Sequence, residues 1–194
     1  MRKKIISEIP TTEQLEAELK RIKYRRRYGA VMRSTVYTLI TVAAVAVLVA
    51  TLWLPVLEIY GTSMTPTLTD GEIIFSVKTS DFKPGDIVAF YYNNRILVKR
   101  VVAGPGDWVD ISEDGTVYVN SKELEEPYLE EKAYGETDIE LPYQVPDERI
   151  FVMGDHRATS VDSRSTTVGC VAQEQIVGKI IFRIWPLNKI GAIQ

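Results

Sequence analysis

The chain has 194 residues, of which 45% are hydrophobic and 25% charged, a balance typical of folded proteins. This composition excludes a chain that is disordered throughout. Cys170 is the one cysteine and His156 the one histidine, which excludes an internal disulfide framework and a zinc centre built on cysteine or histidine clusters.

Charge divides the sequence into three parts. Residues 1–33 carry ten basic and four acidic side chains, residues 34–57 carry neither, and residues 58–194 carry 13 basic and 22 acidic ones. The sequence is therefore organised as a basic tail, an uncharged segment and an acidic body.

The uncharged segment, residues 34–57, predicts one transmembrane helix. A helix of 24 residues is about 36 Å long, against about 30 Å for the hydrocarbon core of a bilayer. A buried helix of a soluble domain would rarely stay uncharged for so long, and a cleaved signal peptide would have a shorter apolar region ending at a small-residue site. The basic residues just before the segment place the N-terminus in the cytoplasm and residues 58–194 outside, with the protein in the cell membrane as a single-pass chain.

The tail, residues 1–33, is predicted to be cytoplasmic and partly helical. Thr11 and Gln14 have the spacing of a capping box, and Leu15, Leu19 and Ile22 recur at helical intervals. The arginines at residues 25–27 are basic enough to bind nucleic acid, but beside a membrane span they favour anionic lipid headgroups. We therefore expect the phospholipid bilayer as a partner and no nucleic acid.

Residues 58–194 are predicted to form a β-rich domain. Short runs rich in Val, Ile, Phe and Tyr alternate with turn signals, which is typical of strands. The predicted strands cover residues 72–77, 87–91, 96–102, 108–111, 116–119, 149–153 and 177–184. Residues 107–148 are expected to form an excursion from the main sheet, with a hairpin around Asp114-Gly115. Its acidic, proline-containing part, residues 123–147, is expected to be irregular and to remain solvated, with docking of a partner as the alternative.

Four short segments carry residues with catalytic potential. They are SMTPTL at residues 63–68, GDIV at 85–88, VKRVVAGPGD at 98–107 and GDHRATSVDSR at 154–164. Each alone has a structural explanation, such as a capping serine, an exposed strand lysine, a turn or a loop fixed by Asp–Arg pairs. Their combination in this order is far more specific.

Together the four segments resemble the conserved boxes of the bacterial type I signal peptidases, in the single-span form common among Gram-positive members. The resemblance covers most of residues 58–188, including GKI at 178–180 and WPL at 185–187. It implies a mainly β fold: a catalytic domain built on a β-sheet or partial barrel, with a hairpin-containing insertion, behind one transmembrane helix. The implied function is a membrane-bound serine endopeptidase that removes N-terminal signal peptides from exported preproteins after A-x-A sites. No metal or organic cofactor is implied.

The same resemblance assigns roles to individual residues. Ser63 is the implied nucleophile, Lys99 the general base, and Ser160 the hydroxyl that orients the lysine. Four residues are implied to hold the site through ion pairs: Arg100, Asp155, Asp162 and Arg164.

The chemistry of a serine and a lysine agrees with these roles. A serine needs an adjacent base, and a lysine is a base only when it is neutral. At an ordinary pKa of about 10.4, roughly one lysine in a thousand is neutral near pH 7.4. Lys99 lies in an apolar run, residues 96–102, so we expect burial to lower its pKa.

Substrate binding is expected to occur by strand addition, with residues 58–62 and 96–98 on the two sides of the peptide. Small apolar pockets would accept the small residues of the A-x-A site. The predicted substrate-binding residues are Gly61, Thr62, Met64, Ile96, Leu97 and Val98.

Four positions depart from the family pattern: Gly61, His156, and the less typical residues Ala158 and Thr159. Gly61 stands where some relatives have a serine that helps to form the oxyanion hole, which leaves the Ser63 backbone N–H as the expected donor. His156 stands where asparagine is more common, which raises the alternative of a conventional triad of Ser63, His156 and an aspartate.

Two other classes of protein remain as alternatives. A self-cleaving repressor also uses a Ser–Lys dyad, but it needs a DNA-binding domain where this chain has an apolar segment. A membrane-anchored, non-catalytic β domain that binds a partner is the other alternative, although both dyad residues and Ser160 are present. Nothing in the sequence favours one oligomeric state over another.

Overall fold

A computed structural model describes residues 11–53 and 55–193, without the side chains of residues 50–53. The first ten residues of the predicted tail and the last residue of the predicted β domain lie outside the described residues. The chain divides into two compact units, Met1–Val49 and Ala50–Gln194.

The described part of the first unit consists almost wholly of one helix, α1 (Thr12–Trp53), whose last four residues belong to the second unit. Its start confirms the predicted capping box: the Gln14 N–H donates to Thr11 Oγ1 at 3.4 Å and the Thr11 N–H donates to Gln14 Oε1 at 3.1 Å. The helix runs from the basic tail through the apolar segment without a break. It ends at Trp53, before the predicted end of the span at residue 57, and Pro55 has no backbone N–H with which to continue it.

The apolar part of α1 exposes its side chains. The helix is long and apolar enough to cross a membrane, and its most apolar stretch is not buried within the protein. The hydroxyls of Thr35, Thr38 and Thr41 each donate to the carbonyl four residues earlier, at 2.9–3.0 Å. These polar groups are therefore satisfied inside the helix, as an apolar solvent requires.

The described part of the second unit contains twelve strands and two short 3₁₀ helices. The strands are β1 (Val56–Glu58), β2 (Ile73–Val77), β3 (Ile87–Tyr92), β4 (Arg95–Ala103), β5 (Trp108–Ile111), β6 (Val117–Val119), β7 (Lys122–Glu123), β8 (Tyr143–Gln144), β9 (Arg149–Met153), β10 (Val171–Ala172), β11 (Ile176–Trp185) and β12 (Gly191–Ala192). The 3₁₀ helices are Gln173–Gln175 and Leu187–Lys189.

All seven predicted strands are confirmed, and their ends move by no more than one residue. The predicted hairpin is β5–β6, with Ile111 opposite Val117. The strands that the sequence did not predict have two or three residues each, which is too short for a period-2 pattern. One of them, β1, lies at the end of the predicted membrane span, so residues 56 and 57 belong to the sheet and not to the helix.

The strands form two antiparallel sheets. The larger has the order β1-β2-β11-β3-β4-β9-β10, with β12 on β11, and the smaller has the order β7-β6-β5-β8. The smaller sheet lies within the predicted excursion. The chain is therefore mainly β, with one long apolar helix before the strands in the sequence, as predicted.

The larger sheet leaves a strand edge open. β9 pairs with β4 only from Arg100 onward, so residues 95–99 have no partner strand, among the described residues, on the side away from β3. This edge and the segment 57–61 line the same groove, although three strands separate β1 from β4 in the sheet. The sheet therefore curves into a partial barrel, and buried apolar residues including Ile59, Met64 and Leu68 fill its inside.

Candidate active site

Ser63 lies at the start of a compact turn that is fixed at its far end. The Leu68 N–H donates to the Met64 carbonyl at 2.8 Å, and both side chains are buried in the core. Thr67 Oγ1 donates to Asp155 Oδ2 at 2.5 Å, and the Thr67 carbonyl accepts a hydrogen bond from Arg183 at 2.6 Å. Contacts from two distant parts of the chain therefore hold the turn that carries the serine.

Lys99 lies on the open-edged part of β4 and reaches the serine. Its Nζ is 2.7 Å from Ser63 Oγ, and the residue is only 3% exposed. No carboxylate forms an ion pair with it among the described residues. Burial lowers the pKa of Lys99 to about 8; the charge of Asp162 opposes this shift and that of Arg164 reinforces it.

The four predicted supporting residues form two buried ion pairs. Arg100 contacts Asp155 through Nε at 2.9 Å and Nη2 at 2.7 Å, and Arg164 contacts Asp162 through Nε and Nη2 at 2.9 Å each. All four residues are at most 2% exposed. Arg164 also donates to the Tyr134 carbonyl at 2.8 Å. Such two-point contacts fix the geometry of both partners.

Ser160 and Gly154 lie next to each other, and Gly154 also lies against the backbone of Ser63. Ser160 is buried, and its Oγ has no hydrogen-bond partner among the described residues. No hydrogen bond joins it to Lys99 there, so its role in orienting the amine stays a prediction. A Cβ on Gly154 would collide with Ser160 Oγ and lie 2.5 Å from the Ser63 carbonyl oxygen. Residue 154 must therefore be glycine for the loop to approach Ser63.

His156 does not take the place that a conventional triad requires. Its ring is exposed, and the described hydrogen bond of the ring joins Nδ1 to Thr159 Oγ1 at 2.8 Å. Its backbone N–H, in contrast, donates to the Ser63 carbonyl at 3.0 Å. The neighbouring Asp155 is occupied by Arg100. The geometry thus pairs Ser63 with Lys99 and leaves His156 a loop residue.

The acidic excursion supplies contacts that the sequence did not predict. Glu126 forms an ion pair with Arg157, both side chains being at most 1% exposed, and the Tyr128 ring lies 3.8 Å from the guanidinium carbon of Arg100. The expectation that residues 123–147 remain solvated is therefore wrong for this part. The sequence did contain one signal for the Glu126 contact. Arg100 and the segment 154–164 together supply three arginines but only two aspartates, so one buried arginine needs a carboxylate from another segment.

An apolar groove of about 490 Å³ leads to Ser63 and Lys99. Of the predicted substrate-binding residues, Gly61, Met64, Ile96, Leu97 and Val98 line it; Thr62 lies between two lining residues and does not line it. Gly61 has a φ of +91°, which favours glycine, and its N–H donates to Asp70 Oδ1 at 2.7 Å. The groove has the open β4 edge on one side and residues 57–61 on the other.

A serine hydroxyl in contact with a buried amine, at the end of an apolar groove beside an open strand edge, can attack the carbonyl of an extended peptide. These features are compatible with hydrolase chemistry, in which a serine hydroxyl needs an adjacent base.

Comparison with known proteins identifies the family. The family model described as "Signal peptidase, peptidase S26" matches residues 32–185. The chain belongs to this family, which confirms the recognition made from the four sequence segments.

The similar proteins include two curated relatives. Signal peptidase I of Bacillus amyloliquefaciens is 42% identical over 141 residues, which cover 67% of this chain and 75% of that protein. Signal peptidase IB of Staphylococcus aureus (strain N315) is 38% identical over 151 residues, which cover 68% and 78%. A crystal structure of a signal peptidase I from Enterococcus faecalis V583 aligns at 30% identity with a TM-score of 0.44, over 51% of this chain and 96% of that chain.

Proposed function

We propose that this protein is a membrane-bound serine endopeptidase that removes signal peptides from exported preproteins, with Ser63 as the nucleophile and Lys99 as the general base. The 2.7 Å contact between Ser63 Oγ and the buried Lys99 amine carries the proposal. With a pKa of about 8, about one amine in five is neutral at pH 7.4, against roughly one in a thousand at the ordinary pKa.

The proposed reaction begins when Ser63 Oγ attacks the scissile carbonyl carbon and the neutral Lys99 amine takes the hydroxyl proton. The Ser63 backbone N–H donates to no acceptor among the described residues, so it is available to stabilise the oxyanion. When the C–N bond breaks, the Lys99 ammonium gives its proton to the departing amine of the mature protein. Water, deprotonated by Lys99, then attacks the acyl-enzyme, releases the signal peptide as a carboxylic acid and restores Ser63.

The two buried ion pairs serve this chemistry electrostatically. Asp162 and Asp155 each raise the pKa of Lys99. Because Arg164 and Arg100 carry compensating charges against them, the amine can lose its proton. We propose further that the unpartnered Ser160 hydroxyl orients the amine when substrate is bound.

The groove supports the choice of substrate. An extended peptide can form main-chain hydrogen bonds with the open edge at residues 95–99. Apolar side chains, among them Ile96, Val98 and Met64, line the space that alternate residues of that peptide would enter. Small apolar residues at the two outer positions of an A-x-A site fit this lining. The names of the relatives, signal peptidase I and IB, agree with such a substrate.

The helix α1 supports membrane attachment. Its apolar side chains are exposed within the first unit, so a bilayer is the solvent that would cover them. Ten basic residues precede the apolar segment, which favours a cytoplasmic N-terminus and an extracytoplasmic β domain.

The test is cleavage of a purified preprotein with an A-x-A site by the full chain in detergent, with N-terminal sequencing of the product. Wild type should cut after the site. We expect Ser63→Ala to lose at least about 10⁴-fold in kcat/KM and Lys99→Ala about 10³-fold. The kcat/KM of His156→Gln should stay within about threefold of the wild-type value, because the His156 ring bonds to Thr159 and not to Ser63.

Two outcomes would contradict the proposal. Full activity in Lys99→Ala with loss in His156→Gln would transfer the role of base to the histidine. A folded wild type that does not cut would favour the non-catalytic, partner-binding β domain.

A further inference from the structure

The turn that carries Ser63 is held at Thr67 from two directions. The Thr67 hydroxyl donates to Asp155 Oδ2 at 2.5 Å and accepts from Arg100 Nη2 at 3.2 Å. The Thr67 carbonyl accepts a hydrogen bond of 2.6 Å from Arg183 Nη2, on strand β11. The hydroxyl is therefore fixed by the Arg100–Asp155 ion pair, and the carbonyl by a separate part of the sheet.

Arg183 is itself held by a buried carboxylate. Its Nε lies 2.9 Å from Glu72 Oε2, and the Glu72 side chain is 2% exposed. The other Glu72 oxygen accepts a hydrogen bond from Thr69 Oγ1 at 2.8 Å and lies 3.4 Å from Lys189 Nζ. Arg183 Nε makes no hydrogen bond among the described residues, whereas Arg183 Nη2 donates to Thr67. The carboxylate therefore attracts the guanidinium, and the directed hydrogen bond of the guanidinium goes to the turn.

The strand β11 is irregular on both sides of Arg183. Its pairing with β2 shifts in register between Ile180 and Phe182, and again between Arg183 and Trp185. Such bulges change the direction of a side chain and are common beside active sites. Arg183 lies between the two shifts, and its side chain extends to the turn that carries Ser63.

We propose that Arg183 is a positioning residue for the proposed reaction: through the Thr67 carbonyl it holds the Ser63 hydroxyl in contact with the Lys99 amine. The inference rests on the proposed function and deepens it, because it makes a residue of β11 a determinant of the rate. A shift of about 1 Å between reacting groups can cost about 10²-fold in rate. Loss of the Thr67 contact should therefore lower kcat. KM should change little, because residues 57–61 and 95–99 line the groove.

The test separates positioning of the turn from neutralisation of Glu72. Arg183→Met alone would leave a buried carboxylate without its nearest counter-charge and could fail to fold. The double variant Glu72→Gln/Arg183→Met removes both charges, so it should unfold in urea close to wild type. With an A-x-A peptide and the full chain in detergent, its kcat should fall about 10- to 100-fold and its KM should stay within about twofold. A folded double variant with wild-type kcat would overturn the proposal.

Lys189→Met is the matched control, because Lys189 contacts the same carboxylate and its described side-chain contact does not reach the turn. Its kcat and KM should both stay within about twofold of wild type. A loss of kcat equal to that of the double variant would assign the effect to Glu72 and overturn the proposal.

Arg183→Lys keeps a positive charge beside Glu72, so it should fold even if the double variant does not. A lysine ammonium is a point charge and cannot contact the carboxylate and the Thr67 carbonyl as the guanidinium fork does, so kcat should still fall at least about fivefold. A folded Arg183→Lys with wild-type kcat would also overturn the proposal.

A double-mutant cycle with Lys99 adds a readout that a loss of stability would not change. If Arg183 acts by holding Ser63 against the amine, its removal in the Lys99→Ala background should cost only about twofold. Equal losses in both backgrounds would show that Arg183 acts independently of this contact, and would overturn the proposal while leaving the proposed function intact. A wild type that does not cut, or full activity in Lys99→Ala alone, would overturn the proposed function and this inference with it.

Discussion

Two neighbouring regions of the β unit bury positive charge in opposite ways. On one side of the turn that carries Ser63, three arginines, Arg100, Arg157 and Arg164, are each paired with a carboxylate. Lys99, in contrast, is 3% exposed and, among the described residues, contacts a hydroxyl and no carboxylate. An arginine cannot lose its proton in a protein, so its burial requires a counter-charge, whereas a lysine can be buried as a neutral amine.

The two regions are separated by a single step along β4. Because consecutive side chains of a strand point to opposite faces, Lys99 faces Ser63 while Arg100 faces Asp155. The paired arginines hold the loop and balance the aspartates. Lys99 has no carboxylate partner among the described residues, as its proposed role as a base requires.

The largest effect is expected from removing a paired cation. Arg164→Met leaves the Asp162 carboxylate buried without its partner, which should lower the free energy of unfolding by about 3–5 kcal/mol. Urea unfolding of the full chain in detergent measures it. The double variant Arg164→Met/Asp162→Asn removes the uncompensated charge and should recover part of the loss. A single variant within 1 kcal/mol of wild type would show that the pair is not isolated from water.

Removal of the unpaired cation, Lys99, should instead raise the free energy of unfolding. The pKa of Lys99 is about 8 in the folded chain, against an ordinary value of 10.5. Below pH 8 the folded state must therefore bury an ammonium, and the gap corresponds to about 3 kcal/mol. Lys99→Met should raise the free energy of unfolding by up to that amount at pH 6. The gain should fade between pH 8 and pH 10.5, because above the unfolded pKa neither state is charged.

The same urea experiment, repeated at pH 6 and pH 10, measures this effect. Arg100→Met serves as the matched control, since it removes a paired cation at the adjacent position of β4 and should destabilise at both pH values. If Lys99→Met were destabilised at pH 6 as much as Arg100→Met, the two buried cations would not differ in their effect on stability. That result would contradict the account.

The smallest change in the free energy of unfolding is expected at Tyr128, whose ring covers Arg100. Tyr128→Leu removes the aromatic face 3.8 Å from the guanidinium carbon and should cost about 1 kcal/mol. Tyr128→Phe keeps the face and loses only the hydroxyl that bonds Glu126, so it should lie closer to wild type in the same unfolding assay. Equal losses in the two variants would mean that the hydroxyl, and not the ring, stabilises the arginine region.

How far the sequence predicted this arrangement depended on the range of each interaction. The apolar residues on both sides of Lys99 were a local signal for its burial, and turn residues marked the ends of the longer strands. The strand β1 was not predicted, because Val56 and Leu57 continue the apolar composition of the preceding segment. The contacts of Glu126 and Tyr128 were not predicted either, since they join residues about 30 positions apart and no periodic pattern in the acidic excursion indicates them.

If burial makes Lys99 the base, its amine must lose its proton well below the pH at which an ordinary lysine does, and titration of that amine measures this directly. NMR of the full chain in detergent, with lysine labelled with ¹³C at Cε, identifies the Lys99 signal as the one missing from the Lys99→Met spectrum. The signal should titrate with a midpoint near pH 8. A midpoint near the ordinary lysine value of 10.5 would mean that the amine is charged at neutral pH, and would contradict the claim.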